Sequence, residues 1–336
     1  MIPRLSSVKL SEDERAFIAR GVAANVRADG RKMNDGRVIE IQSRVASGVA
    51  SFAECAFRGA GAARSTRASC AIALDIVKPK KDAPGVGAIE INVDASLSVK
   101  DGARAAEASA NERYAEVLRE LVCGHRASAV TTSERSENEG ESRARGAIDL
   151  ERLCIKRGRA AWTLRADVAA LSDRGSMIDA MSIALRAALA EVRIPRVTVA
   201  GVGDGEEDVG ELEVDDDPDA CERIDVGRVG VVVTATKIGR YSVIDATDEE
   251  ESCGDYSMSV AVDREGAICG EFSSGSEGLD RGTATAMRTL ARRVGVEVIE
   301  KMDAYLASAA AHLDAGDDDN EDDEDSRVIV VRLPEE

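Results

Sequence analysis

Hydrophobic positions along this chain switch repeatedly between a helical and a strand spacing. Ser11 is followed three residues later by Glu14, a capping-box spacing in which hydroxyl and carboxylate satisfy the open N–H groups of a helix start. Phe17, Ile18, Gly21 and Val22 then share one face, which predicts a packed helix that stops near Asp29-Gly30. From residue 36 to residue 77 the spacing shortens to that of strands: Val38, Ile39 and Ile41 open them, and the mostly apolar run Ala71 to Val77 closes them. A Gly/Ala/Arg loop from Arg58 to Arg67 lies between. Lys78-Pro-Lys-Lys and Pro84-Gly mark a second loop, and Ala88 to Val93 reads as the next strand. A helix over about 103–122 carries Tyr114, Val117, Leu118 and Leu121 on one face.

The stretch Thr131 to Arg145 is polar, of mixed charge and poor in apolar residues, as an exposed insertion would be. A hairpin follows: Leu153-Cys-Ile rises, Lys156-Arg-Gly-Arg turns, and Trp162, Leu164, Ala166 and Val168 alternate on one strand face. Gly175-Ser176 starts a long buried helix with Ile178, Met181, Leu185, Ala188 and Leu189; Ile194-Pro195 ends it and Val197 to Val199 forms a short strand. Gly201 to Pro218 is a Gly/acidic linker. Beyond it, Val229–Thr236, Tyr241–Ala246, Ser257–Val262 and Ala267–Phe272 read as four antiparallel strands, and a last helix over about 280–313 carries Met287, Leu290, Val294, Val298, Met302 and Leu306. Val328 to Leu333 is a short apolar patch suited to docking as a strand. The sequence of elements is that of an α+β fold of two sheet-and-helix halves.

A length of 336 residues fits about two domains, and 44% hydrophobic residues suffice for a real core. The net charge of −19 argues against a simple nucleic-acid binder. The charge is unevenly placed: Asp314 to Asp325 holds nine acids, and setting them aside leaves −10. Such a run is expected to be disordered, repelling other polyanions from the outer surface or binding a basic partner segment. The seven cysteines are scattered singly, none at metal-ligand spacing, as in a reduced intracellular protein. His125 and His312 are too few for a histidine metal site, and neither a signal-peptide core nor a membrane-length apolar run is seen. The expectation is therefore no metal, no cofactor and no membrane.

Several short stretches resemble a known family. Arg27-Ala-Asp-Gly-Arg31 resembles the opening of the ribonuclease PH-like domain. Asp149-Leu-Glu-Arg-Leu-Cys154, Ile178-Asp-Ala180 in the central helix, Arg193-Ile-Pro-Arg-Val197 and the run Val243 to Glu251 resemble, in the same order, the exosome subunits of the Rrp42 type. The matches run collinearly from about residue 10 to residue 300, whereas the loop at 58–67, the insertion at 123–146 and the tail depart from the family. The resemblance implies a ribonuclease PH-like fold of two related sheet-and-helix halves, the first like ribosomal protein S5 domain 2. It implies an N-terminal helix and lead-in over 1–32, domain 1 over 33–200, an acidic/Gly linker over 201–218, domain 2 over 219–313 and an acidic disordered tail over 314–336. In that family six such subunits ring a channel threaded by single-stranded RNA. The implied partners are other ribonuclease PH-like exosome subunits, cap subunits with RNA-binding domains, associated exoribonucleases and RNA, in the nucleus (nucleolus) and cytoplasm.

Phosphorolysis needs an anion site for inorganic phosphate, supplied by an arginine and the amides of a helix start, and acids that handle the proton or metal at the scissile bond. Active family members carry Gly-Ser/Thr-Arg there; this chain has Gly175-Ser176-Met177, and a thioether offers phosphate no bidentate cation. Arg174, one residue before the glycine, is a poor substitute because neighbouring side chains diverge. The family's two acids, six positions apart, align with Glu251 and Ser257, so one acid is retained and lengthened and the other is a hydroxyl; Asp255 lies off the strand register. The run Asp248 to Glu251 reads by itself as a solvated turn. These departures imply a subunit that lacks catalysis and scaffolds 3′-to-5′ RNA processing and degradation while helping to line the channel. The rivals are a phosphate-dependent 3′ exoribonuclease, active alone or as half of a pair, and an acidic interaction protein that inherited the fold.

Arg58, Arg64 and Arg67 lie in the loop whose family counterpart faces the channel, with Gly59 to Gly61 allowing close backbone approach to phosphates; a surface loop with scattered basic residues is the plain alternative. Lys156, Arg157 and Arg159 form a compact basic cluster on a hairpin turn, where exposure alone accounts for them. Gly201 to Gly205 lacks the Lys-Ser/Thr of a nucleotide loop and is followed by Glu206-Glu207-Asp208, so it reads as linker. Trp162, alternating with Leu164 and Val168, reads as a core anchor.

Overall fold

The computed structural model describes residues 8–46, 49–59, 65–96, 104–123, 146–200, 211–215, 217, 221–275, 278–314 and 327–332. The insertion at 131–145, the Gly201–Gly205 stretch, Arg64 and the acidic run from residue 315 to residue 326 lie outside the described residues. No helix among the described residues is long and apolar enough to cross a membrane.

Helix α1 (Glu12–Ala23) opens on the expected capping box, with the Ser11 hydroxyl accepting from the Glu14 N–H at 3.3 Å and the Glu14 carboxylate from the Ser11 N–H at 2.8 Å. Only Ile18 and Val22 of its apolar face are buried; Phe17 faces solvent, because the helix rests on one small patch with Ile238, Val243 and Ala246. It ends earlier than the expected Asp29-Gly30. The Val26 N–H bonds back to the Gly21 carbonyl and Asn25 takes a φ of 57°, a left-handed step out of the helix.

The first half is a seven-stranded sheet. Its strands are β1 (Val38–Ala46), β2 (Val49–Arg58), β3 (Thr66–Val77), β4 (Ala88–Asp94), β5 (Cys154–Lys156), β6 (Ala160–Ser172) and, from the far C-terminus, β15 (Arg327–Val331). The order is β15-β1-β2-β3-β6-β4 with β5 paired to β6, antiparallel except for β4 beside β6. Alternation sends Trp162, Leu164, Ala166 and Val168 of β6 inward and Arg165 and Asp167 outward, as the sequence spacing requires. Gly158, at a φ of 73°, makes the hairpin turn before β6. Helix α2 (Arg104–Cys123) packs its Tyr114, Val117, Leu118 and Leu121 into the core beside β4.

After α3 (Met177–Glu191) the chain passes through the short strands β7 (Arg193–Ile194), β8 (Val197–Ala200), β9 (Glu211–Val214) and β10 (Glu222–Arg223). The second half is then the antiparallel sheet β12-β11-β13-β14, from β11 (Val231–Ile238), β12 (Tyr241–Ile244), β13 (Tyr256–Val262) and β14 (Ile268–Gly275). A short helix α4 (Asp248–Cys253) and the long α5 (Arg281–Asp314) complete it.

Helix α3 joins the halves. It lies against β1, β2, β3 and β6 on one side and β11 on the other, and its only residue that is not buried is Ala190. A helix covered all round must be apolar all round, which MIDAMSIALRAALAE nearly is. Its polar exceptions reach across to the second half. Asp179 accepts from the Thr234 N–H at 2.8 Å and the Thr234 hydroxyl at 2.6 Å, and the Ser182 hydroxyl accepts from the Val232 N–H at 2.9 Å. The buried Arg186 donates to Asp303 on α5 at 2.9 Å and to the carbonyls of Val226 and Val229.

The tail expected to be disordered over 314–336 is corrected in its last part. Arg327–Val331 is a strand on the free edge of β1, with Ile39 opposite Val331 and Ile41 opposite Ile329. The apolar patch docks because Ile329 and Val331 alternate inward onto the core.

Candidate functional site: a carboxylate-filled helix start beside a basic sheet end

The expected phosphate site lies where the first turn of α3 meets the loop before α4. Gly175 has a φ of 92° and Ser176 a φ of 56°, so two successive residues take left-handed conformations. Glycine is required at 175, since a Cβ there would sit 2.2 Å from the Ala246 carbonyl oxygen of the second half. The Ser176 hydroxyl donates to that carbonyl at 3.2 Å instead of capping the helix.

The two N–H groups that an incoming anion would use are occupied. The Asp173 carboxylate accepts from the Gly175 N–H at 3.0 Å, and the Glu251 carboxylate accepts from the Ser176 N–H at 2.7 Å. Burial, and then the neighbouring charge of Asp173, push the Glu251 carboxyl up to about 8. Met177 is buried in the core and brings no charge. Arg174 turns aside to Asp248 at 3.3 Å with its side chain half exposed, so it does not replace the missing arginine. The leading N–H groups of this helix start therefore already have partners within the chain.

Ser257, second residue of β13, lies opposite Thr236, and the two hydroxyls lie 3.2 Å apart, each the other's hydrogen-bond partner. Asp255 precedes the strand and accepts from the Gly239 N–H at 2.9 Å, closing the β11–β12 turn. Glu251 and Ser257 therefore do not form a pair of acids. Among the described residues no cluster of three metal-ligating side chains occurs.

The reading of Asp248 to Glu251 as a solvated turn is overturned. These residues form the first turn of α4, capped by the Thr247 hydroxyl and the Glu250 carboxylate, with Asp248 and Glu250 buried. The reason is a cation the charge run itself does not show. Arg27, buried in the lead-in, donates to Glu250 Oε1 at 2.8 Å, also reaches Glu250 Oε2, and binds the carbonyls of Asp35 and Ile244 at 3.0 Å and of Asp245 at 2.9 Å.

Beneath the site lies a second buried pair. Arg37 donates to Asp245 Oδ1 at 2.5 Å and Oδ2 at 2.9 Å, and to the Gly175 carbonyl at 3.0 Å. Arg31 adds a third contact to Asp245 at 3.0 Å. Burial alone would raise the Asp245 carboxyl, but Arg37 and Arg31 outweigh it and hold the group well below the usual carboxylate range. Thus Arg27 and Arg31, the two ends of the Arg27-Ala-Asp-Gly-Arg31 motif, fasten the halves together. Sequence spacing missed Asp245 and Arg37; Asp179 had a signal, a carboxylate inside an apolar helical run.

The expected RNA contacts fall on the outer face of the first sheet. Arg58 at the end of β2 pairs with Glu40, and Arg67 on β3 pairs with Glu54 at 2.6 Å, both side chains about half exposed. Exposed pairs of this kind hold their partners weakly and exchange them readily.

The family models place this architecture. The description "3' exoribonuclease family, domain 1" matches residues 35–195 and "3' exoribonuclease family, domain 2" matches residues 230–294. A "Putative exosome complex exonuclease RRP42" of Dictyostelium discoideum is 39% identical over 152 residues, covering 45% of this chain and 46% of that protein. An "Exosome complex component Rrp42" of Methanopyrus kandleri is 27% identical over 266 residues, covering 77% of this chain and 84% of that one. The solved structure "Archaeal exosome core" superposes with a TM-score of 0.61 at 21% identity, covering 87% of this chain and 97% of that chain, a likeness of fold. With both domain models matched in order across the two halves, the chain belongs to the 3′ exoribonuclease family of the ribonuclease PH type, among relatives named as Rrp42 exosome components.

Proposed function

We propose that this chain is a non-catalytic ring subunit of an RNA exosome core, scaffolding 3′-to-5′ RNA processing and degradation and lining part of the RNA path. The observation that carries the loss of catalysis is the start of α3, where the Ser176 N–H is held by Glu251 and the Gly175 N–H by Asp173 with no arginine at position 177. Ser257, bonded to Thr236, leaves the second acid unsupplied. Residues 33–200 and 219–313 act as the two ribonuclease PH-like domains, and Arg58, Arg64 and Arg67 touch RNA. The partners are other ribonuclease PH-like subunits, cap subunits with RNA-binding domains and attached exoribonucleases, in nucleus and cytoplasm.

The test is to purify the chain gently from its own cells and weigh what accompanies it by native mass spectrometry, then to assay the isolated chain for phosphate-dependent release of nucleoside diphosphates from RNA. Several distinct ribonuclease PH-like chains with cap proteins, and no release, are expected. A ring of this chain alone that degrades RNA with phosphate would replace the proposal by the exoribonuclease reading.

A further inference from the structure

A cavity of about 580 Å³ opens at one end of the first sheet, between the turn around Gly30, the start of β1 and the end of β2. Its wall gathers cations from three remote stretches: Lys32, Arg58 and Arg332. The strand register brings the last two together. Val38 pairs with Arg58 on one side of β1, and on the other side Ile39 faces Val331, so Arg332 comes next to Val38. Arg332, Val38 and Arg58 thus form a row across three strands, with the two arginine Cα atoms about 10 Å apart from the usual strand spacing. Val328 and Val330 are exposed, and alternation turns Arg332 to the same outer face as Arg58.

The charges of the lining are not equally engaged. Arg58 is paired with Glu40, Arg31 with Asp29 and Asp245, and Arg37 with Asp245. Asp35 accepts from the Lys32 backbone N–H at 2.8 Å. Lys32 and Arg332 are exposed, and among the described residues neither side chain has an acidic partner. Two arginines two strand spacings apart, with Lys32 lining the same cavity, suit the successive charges of a polyanion.

We propose that this cavity binds successive phosphodiesters of single-stranded RNA, with Lys32 and Arg332 as standing cations and Arg58 exchanging Glu40 for phosphate. The inference rests on the RNA-path reading above and extends it to two residues outside the 58–67 loop. It also gives the C-terminal strand a task, since docking of β15 delivers Arg332 to the site.

The test is fluorescence anisotropy with the full-length chain and a fluorescein-labelled single-stranded oligo(U) across a salt series. The double variant Lys32→Ala/Arg332→Ala is expected to weaken binding about tenfold and to flatten the dependence of log affinity on log salt by about 1.4, two phosphate contacts' worth. Arg152→Ala/Arg264→Ala, at exposed arginines outside the cavity lining, serves as the control and should bind as the native chain does. Circular dichroism checks that each variant is folded. Native affinity in Lys32→Ala/Arg332→Ala together with weakened binding in Arg64→Ala/Arg67→Ala would sink the cavity and leave the RNA-path reading standing. Native affinity in both double variants would remove both.

Discussion

At position 177 a buried thioether stands where the family pattern has a guanidinium. Asp173 and Glu251 fill the two N–H groups that would otherwise cradle phosphate. An arginine restored at 177 would still find both N–H groups taken. Met177→Arg alone is therefore expected to yield no phosphate-dependent release of nucleoside diphosphates, because Ser257 still lacks an acid. Release by this single variant would refute the account of two separate losses. Left-handed backbone at Gly175, Ser176 and Asp245, all on the seam, shows how closely the two chain segments approach.

Among the elements, β15 is the least obvious from its neighbours in sequence, since it follows the acidic run and pairs with β1 some three hundred residues earlier. It covers what would otherwise be a bare edge, and edges of this kind invite pairing with other chains. Ile329 and Val331 are fully buried, which at about 1.5–3 kcal/mol for each side chain is worth roughly 3–6 kcal/mol before the entropy of ordering the strand is subtracted. Truncation after Ser326 is expected to lower the midpoint of urea unfolding and to raise self-association, read by light scattering. An unchanged midpoint would mean that β15 docks without stabilising the sheet. Helix α3 illustrates the converse case: its uniform apolarity announced burial on all sides, but which sheets would bury it depended on the second half.

The molecule as a whole is stitched along its seam by buried ionic contacts, Arg27 with Glu250, Arg37 with Asp245 and Arg186 with Asp303. Their response to pH has opposing signs. Asp245 is held below the usual range, so its stabilisation is complete above its unfolded value of about 3.9 and is lost as acid carries the pH down toward the folded value. Burial raises Asp179 to about 7 against the pull of its Thr234 hydrogen bonds, so the folded state keeps a proton that the unfolded chain releases above about pH 4. Stability is thus expected to climb from strong acid to about pH 4 and to decline between there and about pH 7, with Glu251, raised to about 8, extending the decline. Urea unfolding across this range checks it. Asp179→Asn should make the decline shallower and leave the acid limb in place. Asp245→Asn should remove much of the acid limb and cost about 3–5 kcal/mol at neutral pH, because Arg37 is left buried without its partner. An unchanged acid limb in Asp245→Asn would show that other carboxylates govern acid unfolding.

The sequence by itself determined the elements and much of the site's composition. Period and caps placed the start of α1, and β6, α3 and the four strands of the second half to within a few residues, because backbone geometry imposes those spacings locally. The collinear motifs, with methionine at 177 and serine at 257, indicated both the family and the altered site, because side-chain chemistry is carried by residue type. Only the tertiary structure decided what each charge faces. Asp248 to Glu251 looks like a solvated run until Arg27 is brought against it from more than two hundred residues away, and Glu251 becomes an occupant of the α3 start only once the halves close. Arg58 and Arg332 likewise have nothing in common along the chain and share a cavity, lined also by Lys32, only through strand register. Coulombic and hydrogen-bonding partners act over a few ångströms in space, so distance along the sequence carries no trace of them.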